Sequence, residues 1–99
     1  MATKDSVKER TNSRIKEPRQ FNVVMYNDDF TSMEFVVEVL VDIFHKDEVT
    51  AQAIMLNVHK KGQGVAGVYP REIAETKVAQ VHQAASSAGY PLRAGIEAC

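Results

Sequence analysis

The sequence predicts a small single domain of the α+β class, in which a three-stranded antiparallel sheet packs against three helices in the order β-α-α-β-α-β. Short runs rich in β-branched and aromatic residues alternate with longer segments whose apolar residues recur at helical spacing. Gly and Pro residues punctuate most of the boundaries between these segments. A chain of 99 residues has room for one core of this kind.

The first strand is predicted at residues 21–26, FNVVMY, near the start of a folded domain that we place at residues 19–99. The preceding residues 1–18 contain only Val7 and Ile15 as sizeable apolar side chains. They can bury too little surface to offset the entropy that ordering would cost. The sequence therefore predicts a disordered, flexible N-terminal extension ahead of the domain.

The first helix is predicted from about Ser32 to Phe44. Thr31 and Glu34 have the spacing of a capping box, in which Thr31 would be the N-cap residue. Helical spacing directs four apolar side chains toward the core: Val36, Val37, Leu40 and Phe44. The same spacing places three acidic side chains on the solvent face: Glu34, Glu38 and Asp42.

The second helix is predicted to begin after Asp47, which can cap it, and to run through Lys60 or Lys61. Gly62 and Gly64 are expected to end it. Its apolar stripe consists of Ala51, Ile54, Met55 and Val58.

The last three elements are a strand at residues 65–69, a helix and a final strand at residues 92–97, LRAGIE. Pro70 suits the first turn of this third helix, which is expected to stop before Gly89. Its core face is predicted to consist of Ile73, Ala74, Val78 and Val81.

Composition and charge exclude several classes of function. Hydrophobic residues make up 44% and charged residues 25%, which is typical of a soluble globular domain. Residues 1–19 carry six basic and three acidic side chains, whereas the remainder carries six and ten, so nucleic acid is not an expected partner. A lone cysteine, Cys99, and the lack of a membrane-length apolar run or signal peptide favour a cytoplasmic location.

The run Asn27-Asp28-Asp29 allows two interpretations. Asn and Asp commonly form turns and helix entrances by accepting hydrogen bonds from nearby backbone amides, and composition alone favours this interpretation. However, Thr31 is already expected to cap the helix. The acceptors of the run would then be available to an ammonium group, which has only donors.

Met55 and His59 lie four residues apart and are expected to project from the same face of the second helix. An apolar side chain beside an imidazole indicates the wall and rim of a small pocket. A metal site formed by Asp28, Asp29 and His59 lacks further ligands at a recognisable spacing. Residues 62–67, GQGVAG, match the glycine pattern of a dinucleotide-binding motif. In that motif the glycines open a helix, whereas here they follow one, so no cofactor is expected.

Three segments resemble the ClpS adaptor family of the bacterial N-end rule pathway, and the resemblance covers roughly residues 20–97. They are YNDDFTSMEFVVEVL, IMLNVHKKGQGVAGVY and EIAETKVAQV. The resemblance implies a binding module and not an enzyme. Such adaptors capture proteins with an N-terminal Leu, Phe, Tyr or Trp and deliver them to a Clp AAA+ unfoldase, ClpA in many bacteria, paired with the ClpP peptidase.

The resemblance also implies roles for individual residues. Asn27 and His59 would contact the substrate's α-amine directly, and Asp28 would add negative potential. Asp29 and Thr31 would shape the pocket mouth. The hydrophobic pocket would be walled by Met33, Val36, Met55, Val58 and Leu92, with Met33 excluding β-branched side chains.

A separate surface with Glu72 and Lys77 would bind the N-terminal domain of the unfoldase, and the extension at residues 1–18 would engage its pore. The residues themselves also allow Glu72 and Lys77 to be an ordinary solvated helix face. Ser32 stands where the family usually has proline, and Gly89-Tyr90 also departs from its pattern. A monomer without metal is expected.

Two other functions remain open at this point. One is a protein-interaction domain with a ribosomal-stalk-like fold and no amine pocket. The other is a small hydrolase or metal-dependent enzyme that uses His59 with Asp28 or Asp29. The interaction domain does not explain why an amide, a carboxylate and an imidazole accompany two methionines in the sequence. The enzyme lacks a nucleophile or a set of metal ligands.

Overall fold

The computed structural model describes residues 19–99, and the predicted extension at residues 1–18 lies outside this part. The α+β class and the predicted order of elements are confirmed. The elements are β1 (Gln20–Tyr26), α1 (Met33–Asp42), α2 (Glu48–Lys61), β2 (Gln63–Pro70), α3 (Arg71–Ala88) and β3 (Arg93–Ala98).

The strands form one antiparallel sheet in the order β2-β1-β3, so β1 is the central strand. Tyr26, the last residue of β1, pairs with Gln63 at the start of β2 and with Arg93 at the start of β3. The backbone N–H of Asn27 donates to the carbonyl of Gly62 at 2.9 Å. The loop after β1 is thereby attached to the end of α2.

The core combines side chains from the sheet and from all three helices. The sheet contributes Val23 and Met25 from β1, Ala66 from β2 and Ala94 from β3. The core side chains of the helices and of the segments after α1 and α3 are Val36, Val37, Val39, Leu40, Phe44, Ala51, Met55, Val58, Ala74, Val81, Ala85 and Leu92. No helix within residues 19–99 is long and apolar enough to cross a membrane.

The predicted capping box at Thr31 and Glu34 is wrong. Ser32 is the N-cap residue of α1, and its hydroxyl accepts a hydrogen bond from the amide of Phe35 at 3.1 Å. Thr31 instead uses its amide and hydroxyl to bind Asp28. Ser32 therefore supplies the cap itself.

Three expectations about glycine, proline and core residues are corrected. Gly64 does not end α2 but lies within β2, where an added Cβ would lie 3.0 Å from Cγ2 of Val58. Gly62 alone terminates α2, in a left-handed conformation with φ 90°. Pro70 is the N-cap residue of α3 and not part of its first turn, and Ile73 is 47% exposed and not part of the core.

Helix α1 ends at Asp42, two residues before its predicted end, although Phe44 is buried as expected. The chain then turns through His45, which has a left-handed φ of 58°. The amide of Lys46 donates to the carbonyl of Leu40 at 3.0 Å and closes this turn. The turn leads into α2, which Asp47 caps as predicted by accepting from the amide of Thr50 at 3.2 Å.

Candidate functional site

A cavity of about 290 Å³ lies between the loop after β1, the start of α1 and the C-terminal half of α2. It brings together nine of the ten residues predicted for the amine and side-chain site. These are Asn27, Asp28, Asp29, Thr31, Met33, Val36, Met55, Val58 and His59.

The two sides of the cavity are held together by contacts at the ends of the elements. The hydrogen bond between the Asn27 amide and the Gly62 carbonyl places the loop after β1 against the end of α2. Gly64 allows β2 to approach Val58 closely, because an added Cβ would lie only 3.0 Å from Cγ2 of Val58, a tighter contact than side chains usually make. Residues from two segments, 27–36 and 55–59, therefore line one space although 18 residues lie between the segments.

Asp28 organises the loop at the mouth of the cavity. Its Oδ1 accepts hydrogen bonds from the amides of Phe30 at 2.8 Å and Thr31 at 2.7 Å, and its Oδ2 accepts from the Thr31 hydroxyl at 2.8 Å. Burial raises the pKa of the Asp28 carboxyl, but the hydrogen bonds from Thr31 and Phe30 outweigh it, so the net pKa lies below the ordinary value. The carboxylate is thus held ionised beside the cavity.

This arrangement corrects the expectation that the whole Asn-Asp-Asp run keeps its acceptors free. Asp28 accepts three hydrogen bonds within the turn, as the interpretation from composition alone favours. Its Oδ2 accepts only one of the three, from the Thr31 hydroxyl, and can accept another. Within residues 19–99, the side chains of Asn27, Asp29 and His59 form no hydrogen bond with another residue. All three are exposed at the rim.

The inner walls of the cavity are apolar. Val36, Met55 and Val58 are at least nine-tenths buried and belong to the main core, so their positions are fixed by packing. Met33, the first residue of α1, is 47% exposed and stands at the edge. The cavity therefore has a rigid apolar interior, a polar rim and one exposed apolar side chain at its entrance.

Leu92 does not line this cavity. It is 3% exposed in the core and borders a separate depression together with His82, Ala85 and Tyr90. The ring of Tyr90 packs against Phe35 with a centroid distance of 4.8 Å. Tyr90 thus lies at this depression and not at the rim of the cavity.

The predicted unfoldase-binding residues lie on α3, outside the cavity. Glu72 is exposed in the first turn of α3. The Nζ of Lys77 donates to the carbonyl of Ile43 at 2.6 Å and lies 5.6 Å from the centroid of the Tyr69 ring. Lys77 therefore joins α3 to the segment after α1, a structural contact that the sequence did not indicate.

His82 also has a structural contact. Although His82 is exposed, its Nε2 accepts a hydrogen bond from the Ala94 amide at 3.0 Å. This bond links α3 to β3. No periodic pattern signals such a contact, because it depends on how a helix and a strand distant in sequence meet.

A second depression, also missed by the sequence analysis, lies between α1 and α2. It is lined by Met33, Glu34, Val37, Glu38, Glu48, Gln52 and Met55, so it shares two methionines with the cavity. Within residues 19–99 no group of three or more His, Cys, Asp or Glu side chains is placed to hold a metal ion.

The sequence is similar to proteins of one family. The family model described as ATP-dependent Clp protease adaptor protein ClpS matches residues 16–95. The ClpS adapter of Oleidesulfovibrio alaskensis is 52% identical over 97 residues, which are 98% of this chain and 93% of that protein. The ClpS adapter of Wolinella succinogenes is 52% identical over 85 residues, 86% and 83% of the two chains.

A solved structure, that of Agrobacterium tumefaciens ClpS2 bound to L-phenylalaninamide, has the same fold, with a TM-score of 0.81 and 36% sequence identity. The match covers 84% of this chain and 100% of that one. The sequence match, the family model and the fold agree over nearly all of the described residues. The chain belongs to the ClpS family of ATP-dependent Clp protease adaptor proteins.

Proposed function

We propose that the cavity binds the first residue of a substrate protein through its free α-amine and a bulky hydrophobic side chain: Leu, Phe, Tyr or Trp. The adaptor then delivers this N-degron substrate to a ClpA-like AAA+ unfoldase of the Clp protease. The observation that carries the proposal is the cavity itself, which combines an amide, a carboxylate and an imidazole at its rim with apolar walls.

The rim suits a protonated amine. An α-ammonium group has donors only and is largely protonated near neutral pH, since its pKa is about 8. The side-chain oxygen of Asn27 and a ring nitrogen of neutral His59 can accept from it, and the ionised Asp28 adds negative potential. Charge-assisted hydrogen bonds are stronger than neutral ones, so a free N-terminus is favoured over an acetylated one.

The size of the cavity suits a single side chain. A volume of about 290 Å³ lies at the small end of the range for ligand pockets. Burial of one large apolar side chain against Val36, Met55 and Val58 contributes about 1.5–3 kcal/mol. Met33 narrows the entrance, so a side chain branched at Cβ meets it before it can enter.

The mouth can hold the first peptide group of the substrate. The Thr31 hydroxyl donates its proton to Asp28, which leaves its oxygen lone pairs as acceptors for a substrate N–H. The carboxylate of Asp29 lies at the same rim and is exposed. Both residues therefore offer acceptors to the peptide backbone just outside the cavity.

The bound ligand of one relative supports the first half of the proposal, and the family's description as a Clp protease adaptor supports a Clp partner for the second half. L-Phenylalaninamide, bound by the Agrobacterium structure, has a free α-amine and a large apolar side chain, the two features that this cavity matches. Glu72 and Lys77 on α3 are proposed to bind the N-terminal domain of the unfoldase, away from the cavity. After the bond to Ile43, the ammonium of Lys77 still has two N–H donors for a partner.

Fluorescence polarisation with short labelled peptides tests the proposal. Peptides that start with Phe or Leu should bind, whereas a peptide that starts with Ile and one that starts with acetyl-Phe should bind little. Equal affinity for Phe and acetyl-Phe would contradict the role of the amine. Lack of binding by every peptide would instead favour an interaction domain without an amine pocket.

A further inference from the structure

Strand β2 forms one edge of the sheet, because its only strand neighbour is β1. In the part of the chain that the structure describes, the backbone of residues 64–69 makes no hydrogen bond outside this strand pair, either with another backbone group or with a side chain. With eight residues, β2 is also the longest strand of the sheet. Its outward-facing N–H and C=O groups can therefore pair with another extended chain.

The opposite edge of the sheet, β3, is protected in ways that β2 is not. The Ala94 amide of β3 donates to Nε2 of His82, so α3 covers part of that edge. Strand β3 also carries Arg93 and Glu97, and charged side chains commonly protect sheet edges from pairing. The residues of β2, QGVAGVYP, include no Lys, Arg, Asp or Glu. Strand β2 therefore presents an uncharged edge that is interrupted only by Pro70 at its end.

A β-bulge determines which side chains of β2 face away from the core. Ala66 belongs to the core, and the next residue, Gly67, pairs with the core residue Val23. Two consecutive positions of β2 thus lie on the core side of the sheet. The flanking residues Val65 and Val68 both lie on the outer side, where they are 45% and 49% exposed.

The bulge also makes β2 complementary to itself. Along residues 63–70 the positions lie on the outer, core, outer, core, core, outer, core and outer sides, which is the same order from either end. Two antiparallel copies can therefore pair with facing residues on the same side throughout. In this register Val65 of each copy lies opposite Val68 of the other, and the twofold axis passes between Ala66 and Gly67. A shift by one residue would place core-side positions opposite outer-side positions.

We propose that β2 pairs with β2 of a second copy of this chain, so that the two sheets join into one sheet of six strands. The facing Val65 and Val68 side chains form apolar cross-strand pairs on the outer side. A single pair of strands is smaller than a standard interface, so we expect a dissociation constant of about 100 µM. The monomer expected from the sequence is then the state at low concentration. The cavity lies near Gly62, before β2 begins, so antiparallel pairing places the two cavities toward opposite ends of the joined strands.

Sedimentation equilibrium from about 10 µM to about 1 mM tests the proposal, because these concentrations bracket the expected dissociation constant. Val68→Lys should raise the dissociation constant at least about tenfold, since it places a charge on the edge that pairs. Val49→Lys is the matched control, because Val49 is 77% exposed on α2, and it should leave the dissociation constant unchanged. Urea unfolding of both variants checks that each remains folded.

Mixtures of variants test the register. Val68→Lys mixed with Val65→Glu brings opposite charges to facing positions, whereas Val68→Lys mixed with Val68→Glu does not. The first mixture should therefore associate about threefold more tightly than the second.

A wild-type protein that stays monomeric at about 1 mM would overturn the proposal. An equal effect of Val49→Lys and Val68→Lys, or equal association in the two mixtures, would overturn it as well. A monomeric wild-type protein together with loss of Phe-peptide binding by Val68→Lys would assign the edge to a substrate chain instead of a second copy.

Discussion

Thr31 binds the carboxylate of Asp28 at both oxygens: its amide donates to Oδ1 at 2.7 Å and its hydroxyl donates to Oδ2 at 2.8 Å. The amide of Phe30 adds a third donor at 2.8 Å. The same carboxylate therefore shapes the loop and provides negative potential at the cavity. Because this loop also precedes the Ser32 cap, the start of α1 and the rim of the site are set together.

Replacement of Asp28 by Asn should make the free energy of unfolding less dependent on pH in the acidic range. The folded-state pKa of Asp28 is depressed, so its carboxylate stabilises the fold above the unfolded-state pKa of about 3.9, and this contribution is lost as pH falls through the folded value. Asp28→Asn should cost about 1 kcal/mol of unfolding free energy at pH 7. Urea unfolding from pH 7 to pH 2 measures the difference, which should shrink below about pH 4; a constant difference would contradict this assignment.

Replacement of His59 by Ala should weaken binding of a Phe peptide about tenfold, because a charge-assisted acceptor for the amine is removed. His59 is exposed, so the unfolding free energy should change by less than about 0.5 kcal/mol. Polarisation titrations and urea unfolding measure the two quantities. Lys60→Ala, at the neighbouring exposed position outside the cavity, should leave the affinity unchanged. Wild-type affinity in His59→Ala would exclude His59 from the site.

Replacement of Met33 by Ala should admit an Ile peptide that we expect the wild-type protein to reject, because a side chain at the entrance is shortened. The fold should tolerate the change, since Met33 is 47% exposed. The ratio of affinities for Ile and Phe peptides is the measurement. Leu56→Ala is a suitable control, because Leu56 is 42% exposed on α2 and does not line the cavity. Continued rejection of Ile would show that another wall sets this selectivity.

Replacement of Lys77 by Met should lower the unfolding free energy by about 1 kcal/mol. The variant keeps an apolar stem but loses the hydrogen bond to the Ile43 carbonyl at 2.6 Å. Glu72→Gln, at an exposed position in the same helix, should have no such effect. Thermal unfolding of both variants is the measurement. Equal stability of Lys77→Met and the wild-type protein would mean that Lys77 acts only as a surface residue.

Local patterns were sufficient for the order of the elements. The cap at Asp47 and the left-handed Gly62 are both formed by residues within a few positions of one another, so the sequence alone signals them. Ile73 was assigned to the wrong face because it lies one residue away from the true stripe of Ala74, Val78, Val81 and Ala85. In the first turn of α3, helical spacing alone does not distinguish Ile73 from Ala74 as the buried residue.

The cap of α1 could not be predicted from spacing alone. Thr31 and Ser32 are adjacent hydroxyl residues, and either could accept from the first turn. The choice depends on Asp28, which engages Thr31 and leaves Ser32 to bind the amide of Phe35. The choice of N-cap residue is therefore set by the folded loop and not by the apolar pattern of the helix that follows it.

The residues of the candidate site could be predicted where they belong to the segments that resemble the ClpS family. Asn27 and His59 come from separate segments, and their proximity depends on the hydrogen bond between the loop after β1 and Gly62. Leu92 is buried and borders a separate depression that also includes Tyr90, so the part that the resemblance gives it in the hydrophobic pocket stays a prediction. The groove between α1 and α2 was also not foreseen, since it requires the two helices to face each other.

The most direct test of the amine cavity is a pair of NMR titrations with L-phenylalaninamide and N-acetyl-L-phenylalaninamide. The free amine should shift the signals of Asn27, Asp28 and His59 and the methyl groups of Met33 and Met55, because these residues line one cavity. The acetylated compound should leave them nearly unchanged at the same concentration. Equal shifts with both compounds, or shifts confined to the depression at His82 and Leu92, would contradict binding of a free N-terminus in this cavity.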